Sequence, residues 1–254
     1  MSGCQKVIDI NLNSVTPQYF IDASLQEGKN DFVVRISKTS DYFGVDKPAV
    51  VTNAVVSFKK GNETAVVIKH ESEGVYRLLN YIAVSNTDYS LSVVIDGKTY
   101  AASSFMPKAV PLDSLKREIL PAMNRDNTKP ADSLQIDCYF KDPVNEVNFY
   151  RVKTIKNGVF QGKGVDLLVV EDRLSNGVNA ILPISTAAYR PKDSVNVELV
   201  SMDKKMYNYF NTLSTIVSDG SNSAAPTNPL SNFSGGCLGY FGAFSSSKKT
   251  IVLK

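Results

Sequence analysis

The sequence predicts a mainly β protein built in two parts. An immunoglobulin-like or fibronectin-like sandwich spans residues 17–106. A second antiparallel β domain, sandwich or barrel-like, spans 112–254 and carries one amphipathic helix over 203–217. Three observations point there. Short apolar/polar alternations recur through the chain, turn residues separate them every 8–12 positions as in sandwiches, and a single segment breaks into helical periodicity.

The first alternation places Tyr19, Ile21, Ala23 and Leu25 on one face. Phe32, Val34 and Ile36 repeat it opposite Arg35 and Ser37. Ala54, Val56 and Phe58 follow, then the Ala65–Ile68 run, then Val75–Leu78. Tyr89, Leu91, Val93 and Ile95 alternate again, and Asp96-Gly97 supplies a two-residue hairpin turn into Lys98–Ala102. Gly61-Asn62 and Glu73-Gly74 are further turn signals. That makes about seven strands, the count of such sandwiches. The cysteine–tryptophan–cysteine hallmark of antibody domains is missing, so a fibronectin-like or transthyretin-like variant fits equally.

Met106-Pro107 to Pro111 is a proline-bracketed connection and marks the boundary. Leu112–Ile119 reads either as a strand or as a short helix ended by Pro121. Asn124–Ser133 is polar, holds Pro130 and reads as a loop. Leu134, Ile136, Cys138 and Phe140 then alternate with polar neighbours. Strands are expected over Val147–Thr154, Val165–Val170, Ala180–Thr186 and Val195–Val200. In Asp203–Val217, Met206, Phe210, Leu213 and Ile216 recur at three- and four-residue steps, and Asp203 or Ser201 can cap the helix. The long polar stretch Ser218–Gly236 reads as a loop, and two strands, Cys237–Phe244 and Thr250–Leu253, end the chain.

Composition narrows the function. Hydrophobic residues make up 43% of the 254 and charged residues 21%, a balance that supports packed cores and excludes a disordered chain. The net charge of +3 comes from interspersed residues with no Lys/Arg run longer than two, which argues against a nucleic-acid groove. No apolar stretch approaches the roughly 20 residues that span a bilayer as a helix. The single histidine, His70, precludes multi-histidine metal sites within one chain, and no metal or other cofactor is expected. Three cysteines are too few for a disulfide scaffold. Cys138 and Cys237 read as two buried thiols, with a disulfide as the alternative.

Ser2-Gly3-Cys4 fits the last three positions of a bacterial lipobox, whose cysteine receives lipid. A signal peptide is then expected ahead of it, with Met1 standing where the box has an aliphatic residue. Gln5 to Thr16 would serve as the tether of a lipid-anchored domain, so that 1–16 forms an anchor segment. One acyl chain holds weakly, at about 0.8 kcal/mol per buried methylene, whereas several chains on one cysteine hold firmly.

Ile36-Ser37-Lys38-Thr39-Ser40, Asp142-Pro143 with Asn148-Phe149-Tyr150-Arg151, Glu171-Asp172-Arg173 with Asn176-Gly177, Tyr207-Asn208-Tyr209-Phe210, Asn228-Pro229 and Gly235-Gly236-Cys237-Leu238-Gly239-Tyr240-Phe241 together carry a resemblance. Over nearly its whole length the chain resembles a family of Bacteroidota outer-membrane lipoproteins named only as a domain of unknown function. The resemblance implies a lipoprotein of the cell envelope, periplasmic or surface-facing, encoded beside a TonB-dependent receptor and accessory to import. It implies no catalytic residues.

Individual motifs support binding more than catalysis. Asn148 and Tyr150 share one strand face; Phe149 and Arg151 share the other, where Arg151 could fork onto a carboxylate or pair with Asp172 or Glu171. Adjacent Glu171 and Asp172 point to opposite faces and make a poor acid–base pair; Arg173 follows them, and calcium lacks its spaced loop pattern. The glycines from Gly235 to Gly242 fit neither a phosphate loop nor a nucleophile elbow. They read as gaps for a packed helix or for a ligand against bare backbone.

The ligand-binding candidates are therefore Arg151, Asp172, Arg173 and Tyr240, with Cys4 for lipidation. The expected function is a non-enzymatic accessory or binding lipoprotein for an unidentified small ligand or glycan. Alternatives are a structural or adhesive surface module, and a hydrolase on a β scaffold. Paired, buried carboxylates in a concave pocket would favour the hydrolase.

Overall fold

The computed structural model describes residues 16–40, 48–121, 133–144, 146–161, 167–172, 177–219 and 227–254. Seven strands come first: β1 (Tyr19–Gln26), β2 (Gly28–Lys38), β3 (Val55–Lys60), β4 (Val66–Ser72), β5 (Val75–Ala83), β6 (Thr87–Ile95) and β7 (Lys98–Met106). Then follow β8 (Leu112–Ile119), β9 (Leu134–Lys141), β10 (Phe149–Lys156), β11 (Val159–Gln161), β12 (Leu168–Glu171), β13 (Asn179–Tyr189) and β14 (Ser194–Met202). The helix α1 (Lys204–Asp219) and the 15-residue strand β15 (Leu238–Val252) complete the chain.

The fold is mainly β and sandwich-like, as the alternation predicts. The large sheet runs β11-β10-β14-β15-β1-β2-β5-β4-β3-β6-β7, with β12 also pairing with β10. It ends at β11 and β7 and so stays open. A smaller sheet runs β13-β9-β8. The β3-β6-β7 end folds back over β1 and β2. Phe58 of β3 meets Phe32 of β2 with ring centres 4.7 Å apart, Tyr89 of β6 stacks on Phe58, and Phe241 of β15 closes the cluster. Asp96 and Gly97, at φ 49° and 77°, make the tight β6–β7 turn.

Of the two readings of residues 112–119 the strand holds, and one feature departs from the sequence reading. Residues 112–119 form a strand, β8, hydrogen-bonded to β9. The expected pair of terminal strands is one continuous strand, because Ser245-Ser246-Ser247-Lys248-Lys249 pairs along its length with β14. The serines satisfy themselves within the fold: Ser245 Oγ donates to the Pro107 carbonyl at 2.7 Å and Ser247 Oγ to the Val110 carbonyl at 2.6 Å.

β15 joins two cores. Its first half pairs parallel with β1, from Phe20↔Leu238 to Gln26↔Phe244, and its Phe241 and Ala243 enter the N-terminal core beside Phe233 and Cys237. Its second half pairs antiparallel with β14. There Tyr150, Val152, Val197 and Leu199 bury against Ile136, Cys138, Phe140 and Tyr189 of the small sheet. The residues expected to form the N-terminal sandwich are thus completed by a strand from the far end of the chain.

The helix lies over the opposite face of β10 and β15. Asp203 caps it, accepting a 2.9 Å bond from the Met206 amide through Oδ1. Its Met206 and Phe210 join Phe149, Met202 and Phe244 in a third core. Gly242 makes this contact feasible, and Gly239 makes the close pairing with β1 feasible. A Cβ on Gly242 would stand 2.6 Å from the Met206 sulfur, and one on Gly239, at φ 93°, would stand 2.0 Å from the Ile21 carbonyl oxygen. Packing is therefore what these two glycines serve.

Candidate functional site

Strand alternation puts Arg151 of β10 on the helix side, and cross-strand register assembles its neighbours. One rung pairs Arg151 with Val200 and Val200 with Ser246. The next pairs Lys153 with Glu198 and Glu198 with Lys248. The preceding rung, containing Phe149 and Met202, lies in the aromatic core made with α1. Arg151 therefore stands where the helix-covered part of the sheet gives way to the open part.

Its guanidinium carbon lies 4.3 Å from the centre of the Phe210 ring. Such a cation–π contact contributes about 0.5–2 kcal/mol, most when desolvated. Tyr240 packs on Phe210 at 5.4 Å and on Tyr209 at 4.7 Å, so two of the sequence-chosen residues do converge on one aromatic platform. Among the described residues, the Arg151 Nε is buried without a hydrogen-bond acceptor. Burial pulls the guanidinium below its usual pKa. Burial likewise pushes the Tyr240 phenol far up, assisted by the Asp22 carboxylate, and raises Tyr209 to about 12.

Beyond Arg151 an open cleft of about 390 Å3 lies between the β1–β2 turn and the rungs of β10, β14 and β15. Gln26, Glu27 and Asn30 form one wall; Lys153, Glu198, Ser246 and Lys248 form the other. The Glu27 amide donates to the Phe244 carbonyl at 2.8 Å and fixes the turn beside the sheet. Glu198 is the hub of the second wall. It accepts from Ser246 Oγ at 2.7 Å and lies 3.3 Å from Lys248 Nζ and 4.0 Å from Lys153 Nζ. Burial acts to raise this carboxyl, yet Ser246, Lys153 and Lys248 together hold it below its usual range. Burial lowers the Lys153 ammonium in turn, against the pull of Glu198.

Asp172 belongs to a different cluster. It hydrogen-bonds Asn148, whose Nδ2 donates at 3.3 Å, and the carboxyl of Asp142. Asp142 accepts from the Tyr150 hydroxyl at 2.6 Å and from the Gly177 amide at 3.1 Å. Burial, and the adjacent Asp142, hold Asp172 above the usual carboxylate range against the donors of Asn148. The two carboxyl residues are 1% and 3% exposed, so no substrate reaches them. This is a sealed cluster that ties β9, β10 and the end of β12 together.

Arg173 and Cys4 lie outside the described residues. Cys138 and Cys237 are free thiols buried in separate cores, and burial pushes them up to about 12 and about 11. His70 is exposed at the end of β4. A wider depression of about 510 Å3 on the outer face of β3, β6 and β7 is floored by serines and alanines, with Lys59 and Lys205 beside it.

Sequence reasoning missed Lys153, Glu198 and Lys248. Lys153 repeats the face of Arg151 two residues on, which was readable; the register that gathers Glu198 and Lys248 was not.

The fold and this polar cleft define a β-sandwich-type protein whose helix screens one face of a shared sheet. The chain matches the model of a domain of unknown function, DUF4249, over residues 5–250, and belongs to that family. No curated protein matches it.

Proposed function

We propose that the protein is a non-enzymatic lipoprotein of the bacterial outer membrane that binds a ligand and works beside a TonB-dependent receptor in nutrient uptake. The observation that carries the binding half is Arg151. A guanidinium is fixed on an aromatic ring at the border of an open polar cleft, with its Nε buried and unbonded. A side chain held in one orientation binds with less loss of conformational freedom than a mobile one.

The membrane half rests on Ser2-Gly3-Cys4 and on the resemblance to envelope lipoproteins. The hydrolase alternative draws no support from Asp142 and Asp172, which are sealed from solvent and occupied with fold contacts. The structural-module alternative gives Arg151 its contact with Phe210 and leaves the adjoining polar cleft without a role.

Metabolic labelling with a radioactive fatty acid tests the anchor. The full-length precursor takes up label and sediments with outer membranes, and Cys4→Ala abolishes both. Label retained in Cys4→Ala defeats the anchoring reading. Co-purification of a TonB-dependent receptor from native membranes tests the partnership.

A further inference from the structure

Lys153 and Lys248 of the cleft lining are matched by Glu198 and Glu27, and Arg151, one rung outside the lining, leaves the cleft and its border with an excess of positive charge. Three cations, Arg151, Lys153 and Lys248, stand on two adjacent rungs of β10 and β15, and one carboxylate, Glu198, stands between them on β14. Among the described residues the one acid on the opposite wall is Glu27, exposed in the β1–β2 turn; Asp22 lies toward Tyr240, and Phe210 is the α1 side chain against Arg151. Glu198 is already shared by Lys153 and Lys248. Arg151 has the Phe210 face for its plane and no acceptor for its Nε.

We propose that the Arg151–Lys153 side of this cleft binds a small oxyanion, a carboxylate or phosphate group borne by the ligand. This deepens the binding reading above and rests on it. Guanidinium is suited to the task because its planar fork meets two oxygens of one anion, and stacking on Phe210 leaves its edge free for them. Lys153 supplies a second charge from the next rung, its side chain 25% exposed and so reachable from the cleft. Gln26 and Asn30, whose amides give one N–H to Ser24 Oγ and to the Glu27 carbonyl, each keep a second N–H for the remaining oxygens or for polar groups beside them. The cleft's volume lies within the roughly 300–1,000 Å3 of small-molecule sites.

The test is calorimetric titration of the purified chain with inorganic phosphate and, separately, with succinate, against sodium chloride at equal ionic strength. Saturable binding of at least one of the two anions above the chloride background is expected, and the tighter one identifies the oxyanion class. Arg151→Gln and Lys153→Gln should each weaken it about tenfold, as for loss of one charge-assisted contact. Arg151→Lys should restore part of the affinity. Lys153→Gln alters a partly exposed residue and keeps the test open if Arg151→Gln fails to fold; Lys116→Gln, in the small sheet, should bind as the parent does. Absence of saturable binding of both anions overturns the proposal, as does unchanged affinity in a folded Lys153→Gln. The titration needs no membrane, so its failure is separable from failure of the lipid anchor.

Discussion

The Tyr150 hydroxyl donates a 2.6 Å hydrogen bond to Asp142, and the carboxyl of Asp142 lies against that of Asp172. Three groups that would each prefer water are thereby buried together, at the junction of β9, β10 and β12. Burial and the neighbouring Asp142 favour the neutral form of Asp172, because two adjacent buried anions repel strongly.

The raised Asp172 makes stability depend on pH. The unfolded aspartate titrates near about 3.9, and the folded Asp172 titrates higher. Its contribution is therefore fully present below the unfolded value and is lost as pH rises through the folded one. Asp172→Asn keeps the shape and removes the titration. Urea unfolding of both proteins between about pH 4 and about pH 8 should show the difference moving in favour of Asp172→Asn as pH rises. A pH-independent difference would mean that Asp172 is not raised in the folded protein. Tyr150→Phe, which strips Asp142 of a buried donor, should cost about 1–3 kcal/mol.

Gly239 and Gly242 separate backbone strain from side-chain crowding. At Gly239 an added methyl meets the Ile21 carbonyl of the paired strand and must adopt φ 93°. At Gly242 it meets the Phe244 ring at 2.2 Å and the Met206 sulfur at 2.6 Å, both ends of side chains. Overpacking of that kind costs about 1–3 kcal/mol. A backbone collision adds strain that side-chain rotation cannot relieve. Gly239→Ala should therefore lower the denaturation midpoint more than Gly242→Ala. The reverse order would show that the helix contact, and not the β1–β15 pairing, limits stability.

What could be read from the chain beforehand follows the range of the interactions. Phe32, Val34 and Ile36, or Tyr89 to Ile95, announce their strands because alternation is local. Asp203 announces the helix because capping acts within one turn. Ser245–Lys249 reads as a break, since nothing nearby supplies its partners: β14 lies some 50 residues back in register, at Ser201↔Ser245 and Val197↔Lys249. The parallel pairing of Ile21 with Gly239 spans more than 200 positions. The same holds for the site. Arg151 and Tyr240 were chosen for their chemistry, but Phe210 beneath Arg151, and Glu198 between two lysines, are products of register. Asp142 reads in the sequence only as part of an Asp-Pro step, and its contact with Asp172 is likewise a product of register.

Asp203 does two jobs, and one substitution should undo both. Its Oδ1 caps α1 through the Met206 amide. Its Oδ2 accepts from Ser104 Oγ at 2.7 Å and from the Phe105 amide at 2.8 Å, on the edge strand β7. Other outward groups of that edge are covered as well: Ser234 bonds both the amide and the carbonyl of Ala101, and Lys205 and Asn232 reach the Ser103 carbonyl. An open edge invites pairing with another chain, so this covering protects the sandwich. Asp203→Ala should cost about 1–2 kcal/mol from the cap, with a further loss from the two β7 contacts. Amide hydrogen exchange should quicken together at Phe105 and Met206, while Ala101, held by Ser234, stays protected. Faster exchange at Met206 alone would mean that Asp203 serves the helix and leaves the sheet edge to others.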